Sequence, residues 1–317
     1  MKLCRGWIHG DPPRGGAVTI GNFDGIHRGH AEILRRVAAE ARREGIPALL
    51  LTFDPHPVKI LHPEAAPALI ATRDQRAEWI APFGLDAVWE IPFTPELAGW
   101  EPETFIHEVL ATRLAVRHLT LGAGFRFGHR KRGDIALLER EGRRWGYHVE
   151  VVPPFQYNGE PISSSRIRSA VRAGDMEAAA AMLGRPFELS GVVVHGARRG
   201  ARLGFPTVNL HPDNELSPAD GIYAAQVRLT EGGWCPAAAS IGFNPTFGGG
   251  TRTLEAFILD FDGDAYGARL RLRLCRKLRD QAAFPSPEAL RAAIAADVEA
   301  VRAFFADTFP GESDAAP

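Results

Sequence analysis

The chain has 317 residues, which exceeds the usual size of one domain and favours two domains of about 150 residues each. Hydrophobic residues make up 45% and charged residues 24%, and the formal net charge of -1 excludes a general electrostatic attraction to nucleic acid or membranes. Three scattered cysteines predict no disulfide framework, and an amino terminus without an apolar stretch predicts no signal peptide. These features predict a cytoplasmic protein with no nucleic-acid or membrane partner, and they leave the oligomeric state open.

Strand and helix signals alternate in the first half of the chain. The apolar stretch GAVTIG is followed by a helical pattern over residues 30–44 and by the buried-strand pattern IPALLLTF. This order predicts a βαβ unit, and the stretches HLTLGAG and YHVEVVPPF predict two more strands of a parallel sheet. Further helices are predicted around residues 74–82, 101–113 and 134–145.

From about residue 187 the strand signals become short and closely spaced, which predicts a compact antiparallel barrel. The stretches that carry them are SGVVVHG, GIYAAQVRL, CPAAASIG, TLEAFILDF and ARLRLRLCRKL. A helix over residues 287–305 is predicted to cover the barrel with one apolar face. That face consists of Leu290, Ile294, Val298, Val301 and Phe305.

The two halves are joined by a helical pattern that ends near Gly184 and Pro186. We therefore predict a first domain over residues 1–186, which includes this linker, and a second domain over residues 187–307. Residues 308–317 are predicted to be a disordered tail, because they are short, polar and terminal.

The stretch VTIGNFDGIHRGHAEIL, residues 18–34, places two histidines between the first strand and the first helix. A glycine-bearing turn there exposes backbone N–H groups at the positive end of the helix dipole, which suits phosphate. His27 and His30 share one side of the first helical turn, where imidazoles can donate to phosphate oxygens. Two other interpretations stay open: solvated histidines at a helix N-terminus, or ligands of a lone metal ion together with His56.

A second anion-binding pattern is ISSSRIR, residues 162–168, at the start of the linker. It offers three hydroxyl groups followed by Arg166 and Arg168, and such groups bind phosphate at a helix N-terminus. The alternative is a serine N-cap followed by solvated arginines.

Together the two patterns resemble the nucleotidyltransferase superfamily that transfers adenylyl groups from ATP. FDPHP, residues 53–57, and GFRFGHRKRGD, residues 124–134, are similar to the FMN adenylyltransferase module. GARLGFPTVNL, residues 200–210, and IGFNPTFGGGTRTLEAFILDFDGDAYG, residues 241–267, resemble riboflavin kinase. The chain thus resembles the bifunctional riboflavin kinase/FAD synthetase family over nearly all of residues 15–305.

The resemblance implies a Rossmann-like α/β nucleotidyltransferase domain with a parallel sheet, followed by a small antiparallel β-barrel kinase domain with a C-terminal helix. It implies phosphorylation of riboflavin to FMN and adenylylation of FMN to FAD, with ATP and Mg²⁺ in both steps. The implied catalytic residues are Glu255, His27 and His30. The implied ATP- and phosphate-binding residues are Gly21, Asn22, Phe23, Gly25, Gly29, Ser163, Ser164, Arg166, Gly200, Thr207 and Asn209, and the metal ligands are Thr207 and Asn209. The implied flavin-binding residues are Asp24, Pro55, His56, Phe125, Arg126 and Phe127.

Two positions depart from the family pattern. Val208 stands where the kinase signature usually has alanine, and Gly124 stands where the family usually has Asp or Asn before F-x-F-G. Gly124 leaves an alternative open, in which the chain is a riboflavin kinase alone and its first half is a binding or regulatory module. A nucleic-acid-binding protein is a further alternative for a small barrel, but it predicts a basic stripe with interleaved aromatic residues, which this sequence does not supply.

Overall fold

The structure, a computed structural model, describes residues 1–7, 11–196, 199–229, 232–243 and 252–308. They fall into two compact units. One unit contains Met1–Ala68 and Arg73–Ser163, and the other contains Leu69–Thr72 and the residues from Ser164 onwards. The segment predicted as a linker therefore clusters with the second unit, and the domain limits given above stay predictions.

The first unit is built on a six-stranded sheet in which all neighbouring strands are parallel, in the order β1-β4-β3-β2-β5-β6. The strands are β1 Lys2–Arg5, β2 Ala17–Ile20, β3 Ala48–Asp54, β4 Ala87–Pro92, β5 His118–Gly122 and β6 His148–Val152. β2 is fully buried and so are the first five residues of β3, as expected for a parallel sheet that helices cover on both faces. The predicted parallel α/β fold is confirmed.

Six α-helices accompany this sheet in the described part of the first unit. They are α1 Arg28–Glu44, α2 Pro57–Leu61, α3 Arg73–Ile80, α4 Pro95–Ala98, α5 Pro102–Phe105 and α6 Ile135–Trp145. A π-helical segment, Ile106–Arg113, continues α5, and a short hairpin pairs β7 Gln156–Tyr157 with β8 Glu160–Pro161. α1 buries Leu34, Val37, Ala38 and Ala41, so its apolar face lies against the sheet.

The sheet changes its direction of growth at β2. From β2 the chain continues to β3 and β4 on one side, and it later places β5 and β6 on the other side. In open α/β sheets, ligands bind outside the carboxyl ends of the strands at such a switch point. The loops that follow β2, β3 and β5 share this edge, and they contain the GNFDGIH, DPHP and GFRF motifs.

The second unit contains a closed six-stranded antiparallel barrel with the order β10-β13-β12-β11-β14-β9. Its strands are β9 Phe187–Val194, β10 Val208–Pro212, β11 Gly221–Leu229, β12 Cys235–Phe243, β13 Arg252–Ile258 and β14 Arg269–Arg279. The helices of this unit are α7 Ser164–Ala173, α8 Met176–Leu183, α9 Arg199–Arg202 and α10 Pro287–Thr308. The predicted antiparallel barrel with a C-terminal helix is confirmed.

The closing helix α10 divides into two parts. Val298, Val301 and Phe305 are buried in a hydrophobic cluster against the barrel, whereas Leu290 and Ile294 are partly exposed and line a cavity. Residues 309–317, the rest of the predicted tail, and residues 244–251 lie outside the described residues. Within the described ranges, none of the helices has the length and apolar character needed to cross a membrane.

Candidate active sites

The loop between β2 and α1 holds an unusual backbone conformation. Phe23, Gly25 and Ile26 have φ angles of 48°, 82° and 39°, all in the left-handed region. The left-handed conformation is unfavourable for residues other than glycine, and strained residues of this kind are concentrated at functional sites. Phe23 and Ile26 pack in the hydrophobic cluster between the sheet and α1, and this packing holds the loop in place. Asp24 between them is also buried.

His27 caps the first helix. Its Nδ1 accepts a hydrogen bond from the backbone N–H of His30 at 3.2 Å, which places the proton of a neutral ring on Nε2. The two imidazoles are stacked, with 3.6 Å between ring centroids and 16° between planes. A Cβ on Gly29 would lie 3.2 Å from the His27 ring, so glycine gives this ring its space.

The His30 ring is buried in a way that disfavours its positive charge. Its Nδ1 is buried and has no hydrogen-bond partner, and its ring packs on Phe23 with 4.6 Å between centroids. Burial, followed by repulsion from His27, lowers the pKa of His30 well below its usual 6.5. The free protein therefore holds His30 neutral at pH 7, where it offers an N–H donor and no positive charge.

The DPHP loop meets the GNFDG loop through one side chain. Asn22 Nδ2 lies 3.0 Å from Nε2 of His56, and His56 in turn caps α2 through its Nδ1, which accepts from Val58 N at 3.3 Å. Pro55, directly before His56, is exposed. The structure thus brings together two motifs whose contacting side chains are 34 residues apart in the chain.

Three charged residues beside this junction were not predicted from the sequence. Arg76 donates to the backbone oxygen of Asn22 at 3.3 Å and to Glu90 at 2.7 Å, and Arg73 donates to Glu90 at 2.6 Å. Burial raises the pKa of Glu90, but the two arginines outweigh it and bring the pKa below its usual value. Glu90, a charged residue inside the apolar stretch AVWEIP, is the feature of the sequence that could have indicated this cluster.

A lone metal ion held by His27, His30 and His56 is not supported. Across the described residues, one set of three His, Cys, Asp or Glu side chains has its ligand atoms within 4.8 Å of one another, and it consists of Glu40, Glu44 and His118. That set lies at the start of β5, at the opposite end of the sheet from the motifs.

The loop after β5 presents aromatic rings and an open glycine. Phe125 and Phe127 are stacked at 5.6 Å, and Arg126 pairs with Asp134 at 3.0 Å. A Cβ on Gly124 would meet nothing within 4 Å, and the φ angle of Gly124 is outside the left-handed region. The backbone at this position therefore accepts other residues.

The ISSSRIR motif spans the division between the two units. Ser163 is the last residue of the first unit, whereas Ser164 and Arg166 begin α7 in the second. Their part in adenylyl transfer stays a prediction.

The barrel assembles the second set of predicted residues. Thr207 Oγ1 donates to Glu255 Oε2 at 3.2 Å, and Asn209 on β10 pairs in register with Glu255 on β13. Two glycines allow this crowding. A Cβ on Gly196 would lie 2.1 Å from the Asn209 side chain, and one on Gly200 would lie 2.3 Å from Phe205 O.

Thr207 stands between two hollows of different character. A cavity of about 150 Å³ is lined largely by apolar side chains and includes Glu255. A cleft of about 290 Å³ is lined by His195, Asn209, Asp262 and Asp264, among others. Thr207 lines both hollows. The arrangement suits a reaction in which an apolar substrate with a hydroxyl group meets a polar, phosphate-bearing one at Thr207 and Glu255.

Comparison with known proteins finds a matching family for each half of the chain. A family model described as FAD synthetase matches residues 11–166, and one described as riboflavin kinase matches residues 183–305. The bifunctional riboflavin kinase/FMN adenylyltransferase of Escherichia coli (strain K12) is 36% identical over 98% of this chain and 100% of its own length. The chain belongs to this bifunctional family. The family member from Pseudomonas fluorescens is 39% identical over 96% of this chain and 98% of its own length.

A solved structure extends the likeness to the fold. A crystal structure described as a macrolide-efflux protein from Streptococcus pneumoniae matches with a TM-score of 0.84 and 30% identity. The match covers 92% of this chain and 95% of the other. The family resemblance drawn from GNFDGIHRGH, ISSSRIR and GARLGFPTVNL is confirmed.

Proposed function

We propose that this chain phosphorylates riboflavin to FMN and then adenylylates FMN to FAD, using one ATP in each step and releasing pyrophosphate in the second. The hydrogen bond between Thr207 and Glu255, at the junction of an apolar cavity and a polar cleft, is the observation that carries the kinase assignment. The match to both family models supports this bifunctional activity over a kinase with an inactive first half.

In the kinase step, Glu255 takes the proton from the terminal ribityl hydroxyl. The freed oxygen attacks the γ-phosphorus of ATP, and ADP leaves. Thr207 donates to Glu255 in the free protein, and this contact orients the carboxylate. On substrate binding, the Thr207 hydroxyl turns to the phosphates.

The side chains of Thr207 and Asn209 fit a magnesium ion, because both supply the oxygen ligands that Mg²⁺ prefers. The space beside Asn209 that a Cβ on Gly196 would fill keeps this side chain accessible from the polar cleft. When bound, the ion neutralises charge on the ATP phosphates.

In the adenylyl step, an oxygen of the FMN phosphate attacks the α-phosphorus of ATP, and the bond to pyrophosphate breaks. Nε2 of His27 and an N–H of His30 donate to the oxygens of the α-phosphate, where negative charge builds up. Gly21, Asn22, Phe23, Gly25 and Gly29 form the backbone cradle for the phosphates. Ser163, Ser164 and Arg166 hold the departing pyrophosphate.

The flavin ring of FMN is assigned to the loops around this cradle. Its proposed contacts are Asp24, Pro55, His56, Phe125, Arg126 and Phe127. The stacked pair Phe125 and Phe127 offers the apolar surface that a tricyclic ring requires. We place the enzyme in the cytoplasm, where its three free cysteines stay reduced.

One assay tests this function. The protein is incubated with riboflavin and Mg-ATP, and the products are separated by chromatography. Both FMN and FAD are expected, and omission of Mg²⁺ with added chelator should stop their formation. FMN without FAD would support the alternative of a riboflavin kinase alone, and neither product would contradict the proposal.

A further inference from the structure

The cavity in the barrel has an ion pair in its wall, besides Glu255. Asp297 of α10 accepts two hydrogen bonds from Arg279 of β14, at 2.8 Å from Nε and 2.6 Å from Nη2. Both residues line the cavity, and Asp297 is 8% exposed. A paired fork of this kind fixes the plane of the guanidinium.

Strand pairing gives the position of this ion pair around the barrel relative to the reacting end of the cavity. Arg279 pairs with Ile222, Ile222 with Ser240, and Ser240 with Glu255, on four successive strands of the barrel. Three strand spacings of about 4.8 Å place the backbones of Arg279 and Glu255 roughly 14 Å apart along the sheet. Because the six-stranded barrel is closed, three steps around it place Arg279 and Glu255 on opposite sides. The cavity therefore has one polar end at Thr207 and Glu255 and a second polar group across from it.

The Arg279 guanidinium has N–H groups left for a ligand beyond those that it donates to protein groups. A guanidinium has five N–H donors. Two point to Asp297, and Nη1 donates to the backbone oxygen of Asp280 at 3.0 Å. Two N–H groups remain. In the wall of the same cavity, Gln281 donates from Nε2 to Ser240 at 3.3 Å, and its carbonyl oxygen remains an acceptor.

Riboflavin has the same distribution of polar groups. Its reacting hydroxyl ends the ribityl chain, and the outer edge of its ring system carries two carbonyl oxygens and one N–H between apolar faces. We infer that Arg279, held by Asp297, donates to the carbonyl oxygens of this edge and so determines specificity for the flavin ring. The inference rests on the kinase activity proposed above.

The place of Asp297 on α10 supports this role. It lies between Ile294, which lines the cavity, and Val298, which packs in the core. The ion pair therefore ties β14 to α10 where the helix leaves the packed core and becomes the cavity wall. Phe284 lies 5.6 Å from the Arg279 guanidinium and adds an apolar surface there.

The test is Arg279→Met, which keeps the length of the side chain and removes its donors. The KM for riboflavin should rise about 10- to 100-fold, as expected for a lost hydrogen bond from a charged donor, while kcat and the KM for ATP stay unchanged. The second readout is a riboflavin analogue with sulfur in place of a ring carbonyl oxygen. Wild-type protein should prefer riboflavin, and the variant should lose this preference.

Arg302→Met is the matched control. Arg302 of α10 also donates two hydrogen bonds to one aspartate, at 2.8 Å and 3.0 Å from the two carboxylate oxygens of Asp260. Arg302 is not among the residues that line the cavity. This variant should keep the wild-type KM and the preference. If Arg279→Met does not fold, Arg279→Lys replaces it, because lysine keeps the charge and lacks the planar fork.

A folded Arg279 variant with wild-type KM and wild-type preference would overturn the inference. Failure of the proposed function is a different result, because wild-type protein would then form no FMN before any variant is compared.

Discussion

The two candidate sites are both proposed to bind ATP phosphates, but they are built from different parts. The first consists of a backbone loop with three left-handed residues and two stacked imidazoles at a helix N-terminus. The second consists of the Thr207 hydroxyl, directly before β10, and the Glu255 carboxylate on the neighbouring strand β13, which lie 3.2 Å apart. The chemistry explains the difference. A phosphate oxygen of FMN is already an anion and needs no base, whereas a ribityl hydroxyl must lose a proton to attack.

In the proposed mechanism, the site that needs a base uses a carboxylate, and the site that needs only charge stabilisation uses N–H donors. The neutral state of His30 fits this division, because burial and the neighbouring His27 both disfavour a positive charge on the His30 ring. If the division holds, each activity can be removed without the other.

The largest effect is expected for Glu255→Gln. Without its base, the kinase step should slow by about 10²- to 10⁴-fold, whereas conversion of added FMN to FAD should continue at the wild-type rate. The amide keeps an oxygen that can accept from Thr207, so the fold should be retained. Chromatography of products from riboflavin and from FMN measures both steps. Loss of both activities in the folded variant would contradict two independent sites.

The double variant His27→Ala, His30→Ala should slow adenylyl transfer at least about 100-fold, because the donors to the α-phosphate are lost. Riboflavin phosphorylation should survive. Since His27 also caps α1, the matched control is His27→Asn, which retains a capping side chain and lacks the imidazole. Near-normal FAD formation by the folded double variant or by folded His27→Asn would show that these histidines have a structural role only.

A smaller gain is expected for Gly124→Asn. By family resemblance, Asn at this position would donate to the flavin ring, so the KM for FMN should fall by roughly three- to tenfold. The site is open to a Cβ, and its φ is outside the left-handed region, so the melting temperature should not change. Gly124→Ala adds the Cβ without the amide and should leave the KM unchanged. An unchanged KM in the Asn variant would mean that another group already contacts the ring.

The smallest effect concerns pH and stability. Because the folded protein lowers the pKa of His30, the unfolded chain binds a proton at this residue below pH 6.5 and the folded protein does not. The free energy of unfolding should therefore fall as the pH drops below 6.5, by up to about 1.4 kcal/mol per pH unit from this group. Denaturant melts between pH 7 and 5 should show a flatter dependence for His30→Gln. Equal slopes for both proteins would contradict the buried, neutral state.

The fold could be predicted largely because its periodic signals are local. Short sequence patterns indicate which residues are buried in several strands. Examples are the apolar runs of β2 and β3 and the Leu–Arg alternation of β14. β1 and β4 were not predicted. β1 has only four residues and two are charged, and β4 contains the buried Glu90, whose arginine partners lie on a different element.

The motif residues could be placed by resemblance, but their contacts could not. The left-handed angles of Phe23 and Ile26 come from packing against α1, and the Asn22–His56 contact depends on the sheet order. The helix α10 was predicted to cover the barrel with one apolar face. In its first half, Leu290, Ile294 and Asp297 line a cavity, whereas Val298, Val301 and Phe305 pack in the hydrophobic cluster.

The four residues Leu69–Thr72 make simple dissection of this protein unsafe. They belong to the barrel unit, although the chain on either side of them belongs to the sheet unit. The buried Asn214 donates to Ile70 O at 3.3 Å and accepts from Ser190 N at 2.9 Å, and Glu215 accepts from Leu69 N at 3.0 Å. A fragment that starts at residue 164 would lack Leu69–Thr72 and the hydrogen bonds that Asn214 and Glu215 make to them. The truncation would therefore destabilise the kinase domain, whatever the activity of its site. Point substitution within the intact chain is the cleaner way to separate the two activities.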